Sequence, residues 1–166
     1  MRKIVLTGGA SCGKTSVLEE LKNKGFTVVT ETATGVLREF AGKDFQTIQV
    51  EIFKRQLEKE KNAKGDLIFF DRSALDCLTY TRLFIDPWPE EVDESLIEHK
   101  YDEIFLLDKL PFVQNDVRIE SGDEQAQEVH NELIKDYKKR GYSPVLVPVM
   151  DIEKRVEFIL EKLSLK

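Results

Sequence analysis

This sequence is poor in the residues that build disulfide frameworks and metal sites. It has two cysteines and two histidines in 166 residues, and two cysteines cannot supply the several bridges that staple a small extracellular protein. The histidines, His99 and His130, have no partner at the spacing of metal ligands. We expect both to lie on charged, exposed helix faces, and we expect no disulfide scaffold and no zinc site.

The sequence also lacks a long apolar run and an excess of positive charge. It contains no run of 18 apolar residues and nothing like a signal peptide, which predicts a cytoplasmic protein without a membrane span. The net charge of −6 disfavours a nucleic-acid surface, because such a surface needs a basic patch. A bound nucleotide needs only a few local cations. The length predicts one domain, residues 1–166, with a single core.

What the sequence does contain is a glycine-rich motif near its start. Residues 8–15 read GGASCGKT, match G-x-x-x-x-G-K-T and follow the apolar residues 4–7. Such a P-loop between strand and helix cradles triphosphates, because its glycines let backbone N–H groups face phosphate oxygens at a helix N-terminus. Lys14 is expected to reach the β- and γ-phosphates of ATP, and the Thr15 hydroxyl to bind Mg²⁺. The predicted nucleotide-binding residues are Gly8, Gly9, Ala10, Ser11, Cys12, Gly13, Lys14, Thr15 and Ser16.

The rest of the chain alternates apolar runs with amphipathic stretches, which predicts a parallel sheet covered by helices on both faces. The expected strands are residues 3–7, 26–30, 67–70, 103–107 and 145–147. The expected helices are 14–24, a stretch through Val36 that breaks at Gly42, 44–64, one from Leu75 to Phe84, a short acidic helix within 89–100, 123–139, and a last one from Ile152 to Leu163. Residues 108–122 lack periodicity, and a loop of that length is functional or disordered.

Two acidic residues follow apolar strands and are candidates to hold Mg²⁺ through water, namely Asp71 and Asp108. Periodicity alone does not choose between them. Arg72 and Ser73 follow Asp71, and an arginine at the carboxyl end of a parallel sheet can grip a phosphoryl group. This favours Asp71 as the metal-side carboxylate, while an aspartate at this place can also cap the next helix.

Three more charged residues complete the candidate site. Glu31 follows the second strand, where a carboxylate can accept the proton of an attacking hydroxyl; the alternative is a solvated charge. Arg38 is either a substrate contact or a surface arginine. Arg118 lies in the long loop, which we expect to form a lid that brings this arginine over the phosphates; the alternative is a solvated loop arginine.

These motifs resemble the small AAA-like P-loop proteins of the ribosylnicotinamide-kinase type, an ATPase/GTPase family. The matching segments cover nearly the whole chain: residues 4–8, 31–33, 71–73, 105–112, 116–118 and 141–149 with the helix that follows. Residues 71–73 also look like the acid-Arg-Ser element of deoxynucleoside kinases, and Glu31 looks like their general base. Thr32 stands where those kinases carry proline.

The resemblance implies a nucleoside-kinase-like P-loop NTPase, with three α/β/α layers, five parallel strands in the order 2-3-1-4-5 and a lid before strand five. It implies either a small-molecule kinase or a nucleotide hydrolase. Our first expectation is a Mg²⁺-dependent kinase that uses ATP and a small-molecule acceptor. The alternative is an ATP- or GTP-hydrolysing switch that acts on a protein or lipid partner. The expected catalytic residues are Lys14, Glu31, Asp71, Arg72 and Arg118, those at the acceptor are Glu31, Arg38 and Arg72, and those at the metal are Thr15 and Asp71.

Overall fold

A computed structural model describes residues 1–98, 100–111, 113 and 119–165. Within them, the centre of the fold is a sheet of parallel strands in the order β2-β3-β1-β4-β5. The strands are β1 (Arg2–Thr7), β2 (Thr27–Val29), β3 (Leu67–Asp71), β4 (Glu103–Leu107) and β5 (Val145–Val147). In the central strand, Ile4 lies opposite Phe69 of β3 and Glu103 of β4. The predicted strand order is confirmed, and β2 is shorter than expected.

Helices cover both faces of this sheet. They are α1 (Lys14–Asn23), α2 (Ala33–Glu39), α3 (Phe45–Asn62), α4 (Ala74–Phe84), α5 (Asp123–Lys139) and α6 (Ile152–Lys162). On one face, Val5 and Phe70 pack with Phe53 of α3 and Leu78 of α4. Successive side chains of a strand point to opposite faces. Ile4 and Leu6, which stand on either side of Val5 in β1, therefore belong to a second core on the other face of the sheet.

The second core lies between the sheet and the helices α1 and α6. There Ile4 and Leu6 of β1 pack with Leu21 of α1 and Ile159 of α6. These side chains are buried, and the strands read as continuous apolar runs because both of their faces are covered. The predicted three-layer α/β/α architecture is confirmed.

The short acidic helix expected within residues 89–100 is shorter than expected and is not an α-helix. Among the described residues of that stretch, a helical turn of 3₁₀ type spans only Glu94–Leu96, and the Asp93 carboxylate accepts the Ser95 N–H at 2.8 Å. Val92 is buried, whereas Leu96, one helical turn later, is 51% exposed, so these two side chains do not form a stripe that holds an α-helix against the core. His99 lies outside the described residues.

The described part of the expected lid, residues 108–111, 113 and 119–122, contains no helix or strand. Arg118, the expected lid arginine, lies outside the described residues, as do Phe112 and Asp116 of the motifs quoted above. The lid and its arginine stay predictions. In the part of the chain that the structure describes, no helix is both long and apolar enough to cross a bilayer.

Candidate active site

The predicted P-loop joins β1 to α1 at the carboxyl edge of the sheet. Gly13, directly before α1, has a φ of 76°, a backbone conformation that glycine adopts without steric cost. Gly9 permits close packing, since a Cβ at this position would lie 2.6 Å from the carbonyl oxygen of Ala126 in α5. Residues 9–15 line a cavity of about 440 Å³, so the loop faces an open volume of small-molecule size.

Lys14 and Asp71 form a buried ion pair at the P-loop. Lys14 Nζ contacts Asp71 Oδ1, and the two side chains are 9% and 6% exposed. The Asp108 side chain is 45% exposed and lies 4.0 Å from the His130 ring. Neither aspartate is among the described residues that line the cavity, and the contact with Lys14 is what distinguishes Asp71. Asp71 is therefore the carboxylate beside the P-loop lysine. Its role as a metal ligand stays a prediction.

Arg72 faces the same cavity from a strained turn. Its φ is 66°, a left-handed conformation that costs a residue with a side chain about 1–2 kcal/mol. The guanidinium lies 5.2 Å from the centre of the Tyr80 ring, and its Nη1 lies 3.6 Å from Asp76 Oδ1. Nη1 is buried and has no hydrogen-bond partner among the described residues. A buried donor without an acceptor fits an anionic group such as a phosphoryl group.

Asp76 is a site residue that sequence reasoning missed. It is 1% exposed, its Oδ1 accepts from Thr7 Oγ1, and its Oδ2 accepts from Ser73 N at 2.9 Å and from Tyr137 OH at 2.6 Å. With Ser73 it forms a capping box at the start of α4. A serine three residues before an acid, ahead of an apolar helix, was the sequence signal for this box.

Glu31 is one of the residues that line the cavity. Both of its carboxylate oxygens accept the Thr34 N–H, at 3.1 and 3.0 Å, so the side chain caps the start of α2. A carboxylate offers about four acceptor positions, which leaves room for a hydroxyl. Arg38 is exposed on α2 and is not among the lining residues, so its contact with substrate stays a prediction.

The remaining wall of the cavity combines apolar and polar side chains. Leu37, Phe45 and Ile52 supply the apolar part. Tyr80 OH donates to Glu120 Oε1 at 2.8 Å, which holds residue 120, at the far end of the expected lid, against α4. Burial raises the pKa of Tyr80, so its hydroxyl keeps its proton as a donor. Neither Tyr80 nor Glu120 stood out in the sequence, because neither belongs to a local motif.

Comparisons with known proteins agree with this geometry. A family model described as an AAA domain matches residues 3–155. The chain belongs to the AAA domain family. No curated protein matches this AAA domain.

Solved structures share the fold of this AAA domain at low identity. One is deoxyadenosine kinase from M. mycoides with the products dCMP and a flexible dCDP bound (TM-score 0.68, 18% identity, 98% of both chains covered). The same kinase with bound dATP has a TM-score of 0.64 and 20% identity over 99% of this chain and 100% of that one. The NadR protein in complex with NR has a TM-score of 0.73 and 18% identity over 99% of this chain and 52% of that one. The fold is that of nucleoside-kinase-like P-loop proteins.

His130 of this AAA domain is buried, contrary to the exposed position expected. It is 3% exposed, and its Nδ1 accepts the Gly9 N–H at 3.4 Å. The polar residues around it on α5 suggested a solvated face. However, α5 closes onto the P-loop at Gly9, where the absence of a side chain lets the two backbones approach. An accepting Nδ1 requires a neutral imidazole, and burial lowers the pKa of His130.

We expect the free AAA domain to lose stability as the pH falls below about 6.5. In the unfolded chain the imidazole has its ordinary pKa of 6.5, whereas the folded pKa is lower, so the unfolded state binds the proton first and is favoured. The loss ends once the pH is below the folded pKa. Urea unfolding at several pH values between 5 and 7.5 measures the free energy of unfolding and so gives this pH dependence. His130→Gln should flatten this dependence; equal curves for His130→Gln and the wild type would contradict the assignment.

Arg155 is a second residue outside the P-loop of the AAA domain that contacts this loop. It extends from α6, is 2% exposed, and donates through Nη1 to the Cys12 carbonyl at 2.5 Å and through Nε to the Pro148 carbonyl at 3.1 Å. Its Nη2 donates to the Asp108 carbonyl at 3.3 Å. Sequence reasoning missed this arginine, because nothing in a helical stretch shows that it reaches a loop 143 positions earlier.

Proposed function

We propose that this AAA domain is a Mg²⁺-dependent kinase that transfers the γ-phosphoryl group of ATP to a hydroxyl group of a small molecule. The observation that carries this proposal is the cavity of about 440 Å³, because the P-loop, Arg72 and Glu31 all line it. Its volume is within the range of small-molecule sites. The kinase fold of the structural neighbours supports the same class of reaction.

The P-loop end of the cavity suits a triphosphate. Lys14 and Arg72 are the cations among its described lining residues, and Nη1 of Arg72 has no hydrogen-bond partner there. Thr15, an exposed residue at the start of α1, and Asp71 would hold Mg²⁺, which prefers oxygen ligands. When bound, Mg²⁺ would reduce the negative charge of the phosphates. We propose ATP rather than GTP because the sequence has no N-K-x-D motif for guanine.

The other end of the cavity suits a neutral acceptor that combines an apolar part with hydroxyl groups. Leu37, Phe45 and Ile52 can pack against an apolar ring, and Gln49 and Glu120 are polar groups beside it. Gln49 is fixed, since its Nε2 donates to the Cys77 carbonyl at 3.0 Å. A nucleoside or a similar metabolite has this mixture of surfaces.

Glu31→Gln is expected to lower kcat about 100-fold, because a general base contributes roughly 10²–10⁴-fold, with little change in the KM for ATP. The measurement is ATP consumption in the presence of a panel of nucleosides and other hydroxyl metabolites. The matched control is Glu39→Gln, which removes an exposed charge at the end of α2 that is paired with Arg55 and should keep kcat within about twofold.

Two outcomes of this experiment separate the hypotheses. Undiminished transfer by Glu31→Gln rejects this residue as the base, whatever the acceptor is. If no compound raises ATP consumption by the wild type above the rate with water, the kinase proposal fails and the nucleotide-hydrolysing switch is favoured.

A further inference from the structure

A chain of buried hydrogen bonds links the two halves of the proposed active site. Thr32, the residue after Glu31, donates from Oγ1 to Gln56 Oε1 at 2.7 Å. Gln56 Nε2 donates to Glu60 Oε1 at 2.9 Å. The same Glu60 oxygen accepts the Ala74 N–H at 2.9 Å, one residue after the 71–73 motif. The three side chains are 5%, 3% and 0% exposed in chain order, so each bond forms away from water.

The Glu60 end of this chain holds the turn that carries Arg72. Three consecutive amides of the turn each have an acceptor: Arg72 N–H donates to the Leu6 carbonyl at 3.0 Å, Ser73 N–H to Asp76 Oδ2 at 2.9 Å, and Ala74 N–H to Glu60. Arg72 has a positive φ, a conformation that persists only where the surroundings determine it. Loss of one acceptor therefore loosens the turn that directs the guanidinium.

The Thr32 end holds the segment that carries Glu31. Thr32 is the N-cap residue of α2, and the neighbouring Glu31 carbonyl accepts from Lys59 Nζ at 2.9 Å. Gln56, Lys59 and Glu60 lie on adjacent turns of α3. One short piece of α3 thus supports both Glu31 and the start of α4.

We propose that Thr32, Gln56 and Glu60 are positioning residues that set the Glu31 carboxylate relative to the Arg72 guanidinium. None of the three is among the described residues that line the cavity, so they act through the two residues that do. A break in the chain leaves a buried acceptor or donor without its partner, and the two ends then move independently. The expected effect on kcat rests on the proposed function, whereas the expected effect on the order of residues 72–74 does not.

Thr32→Val tests this proposal, because it removes the hydroxyl and keeps the shape of the side chain. The matched control is Thr79→Val, which removes an equally buried hydroxyl that donates to Asp136 Oδ2 at 2.9 Å. Thr79 is a close control because it belongs to α4, the helix that begins directly after the turn under test. Thr32→Ser retains the hydroxyl and should behave like the wild type.

The first measurement is hydrogen exchange of the amides of residues 72–74 in the free protein. We expect exchange to become at least about threefold faster in Thr32→Val and to stay unchanged in Thr79→Val, because only the first substitution interrupts the chain to Glu60. Equal exchange in the two variants overturns the proposal, and it does so whether or not a phosphoryl acceptor is known.

The second measurement is turnover with the best acceptor of the wild type. We expect Thr32→Val to lower kcat about tenfold with an unchanged KM for ATP, since a small misplacement of reacting groups costs up to about 10² in rate, and Thr79→Val to stay within twofold. Faster exchange with an unchanged kcat would overturn the positioning role. A wild type without acceptor-dependent turnover would refute the proposed function instead, and the exchange comparison would then decide the link alone.

Discussion

Lys14→Met is expected to abolish phosphoryl transfer and to destabilise the free protein at the same time. We expect kcat to fall by about 10³-fold, because the P-loop lysine neutralises the phosphates at which charge develops. The substitution also removes the partner of Asp71, whose side chain is 6% exposed. An unpaired buried carboxylate costs about 3–5 kcal/mol. Urea unfolding without nucleotide and steady-state kinetics measure the two effects separately.

A second substitution distinguishes these two effects of Lys14. The double variant Lys14→Met with Asp71→Asn should recover most of the stability, because no uncompensated charge is buried, and should stay inactive. Lys24→Met is the surface control: its pair with Glu20 is 3.4 Å long and largely exposed, and such pairs contribute little. If Lys14→Met alone is as stable as the wild type, the ion pair with Asp71 does not stabilise the fold. If this variant still transfers the phosphoryl group, the proposed role of the P-loop lysine is contradicted.

Arg72→Met is expected to lower kcat by about 10³-fold, the lower end of the effect of an arginine that stabilises a transferring phosphoryl group. The physical reason is that its buried Nη1, which has no hydrogen-bond partner among the described residues, is the donor available for the transferring group. Arg72→Lys keeps the charge but loses the planar fork, so we expect an intermediate rate. Single-turnover kinetics with saturating ATP measure the step directly.

The control for Arg72 is Arg82→Met in α4, the helix that follows the Arg72 turn. Arg82 pairs with Glu132 and Asp136 at 2.8 Å, and its side chain is 41% exposed; it is not among the cavity-lining residues. We expect its kcat to stay within about twofold of the wild type. A similar loss in both variants would show that damage to α4, rather than loss of the guanidinium at the site, lowers the rate.

The parts of this molecule that sequence reasoning predicted are those whose signal is local. The P-loop is specified by glycines and a lysine at fixed spacing, and the sheet by apolar runs that must be covered on both faces. The Asp71 and Arg72 pair was found because it directly follows such a run. Asp71 lies where the motif indicated, against Lys14.

The parts that were missed or wrong depend on contacts between distant segments. His130 looks exposed within its own helix, and only its approach to Gly9, 121 positions earlier, buries it. Arg155 reaches the P-loop across a still longer separation. The acidic stretch after Pro89 looked helical because charge and length allow a helix, but Leu96, one turn after the buried Val92, is exposed, so no apolar stripe docks on the core. Local patterns carry no information about such partners.

The contact between Arg155 and Cys12 also concerns how the protein is made. The P-loop leaves the ribosome long before α6, and the guanidinium that fixes the Cys12 carbonyl is added 143 positions later. A growing chain therefore carries a P-loop whose Cys12 carbonyl lacks this donor until α6 has been made and has docked. The shape of the candidate nucleotide cradle is completed by a helix that is synthesised long after the cradle itself.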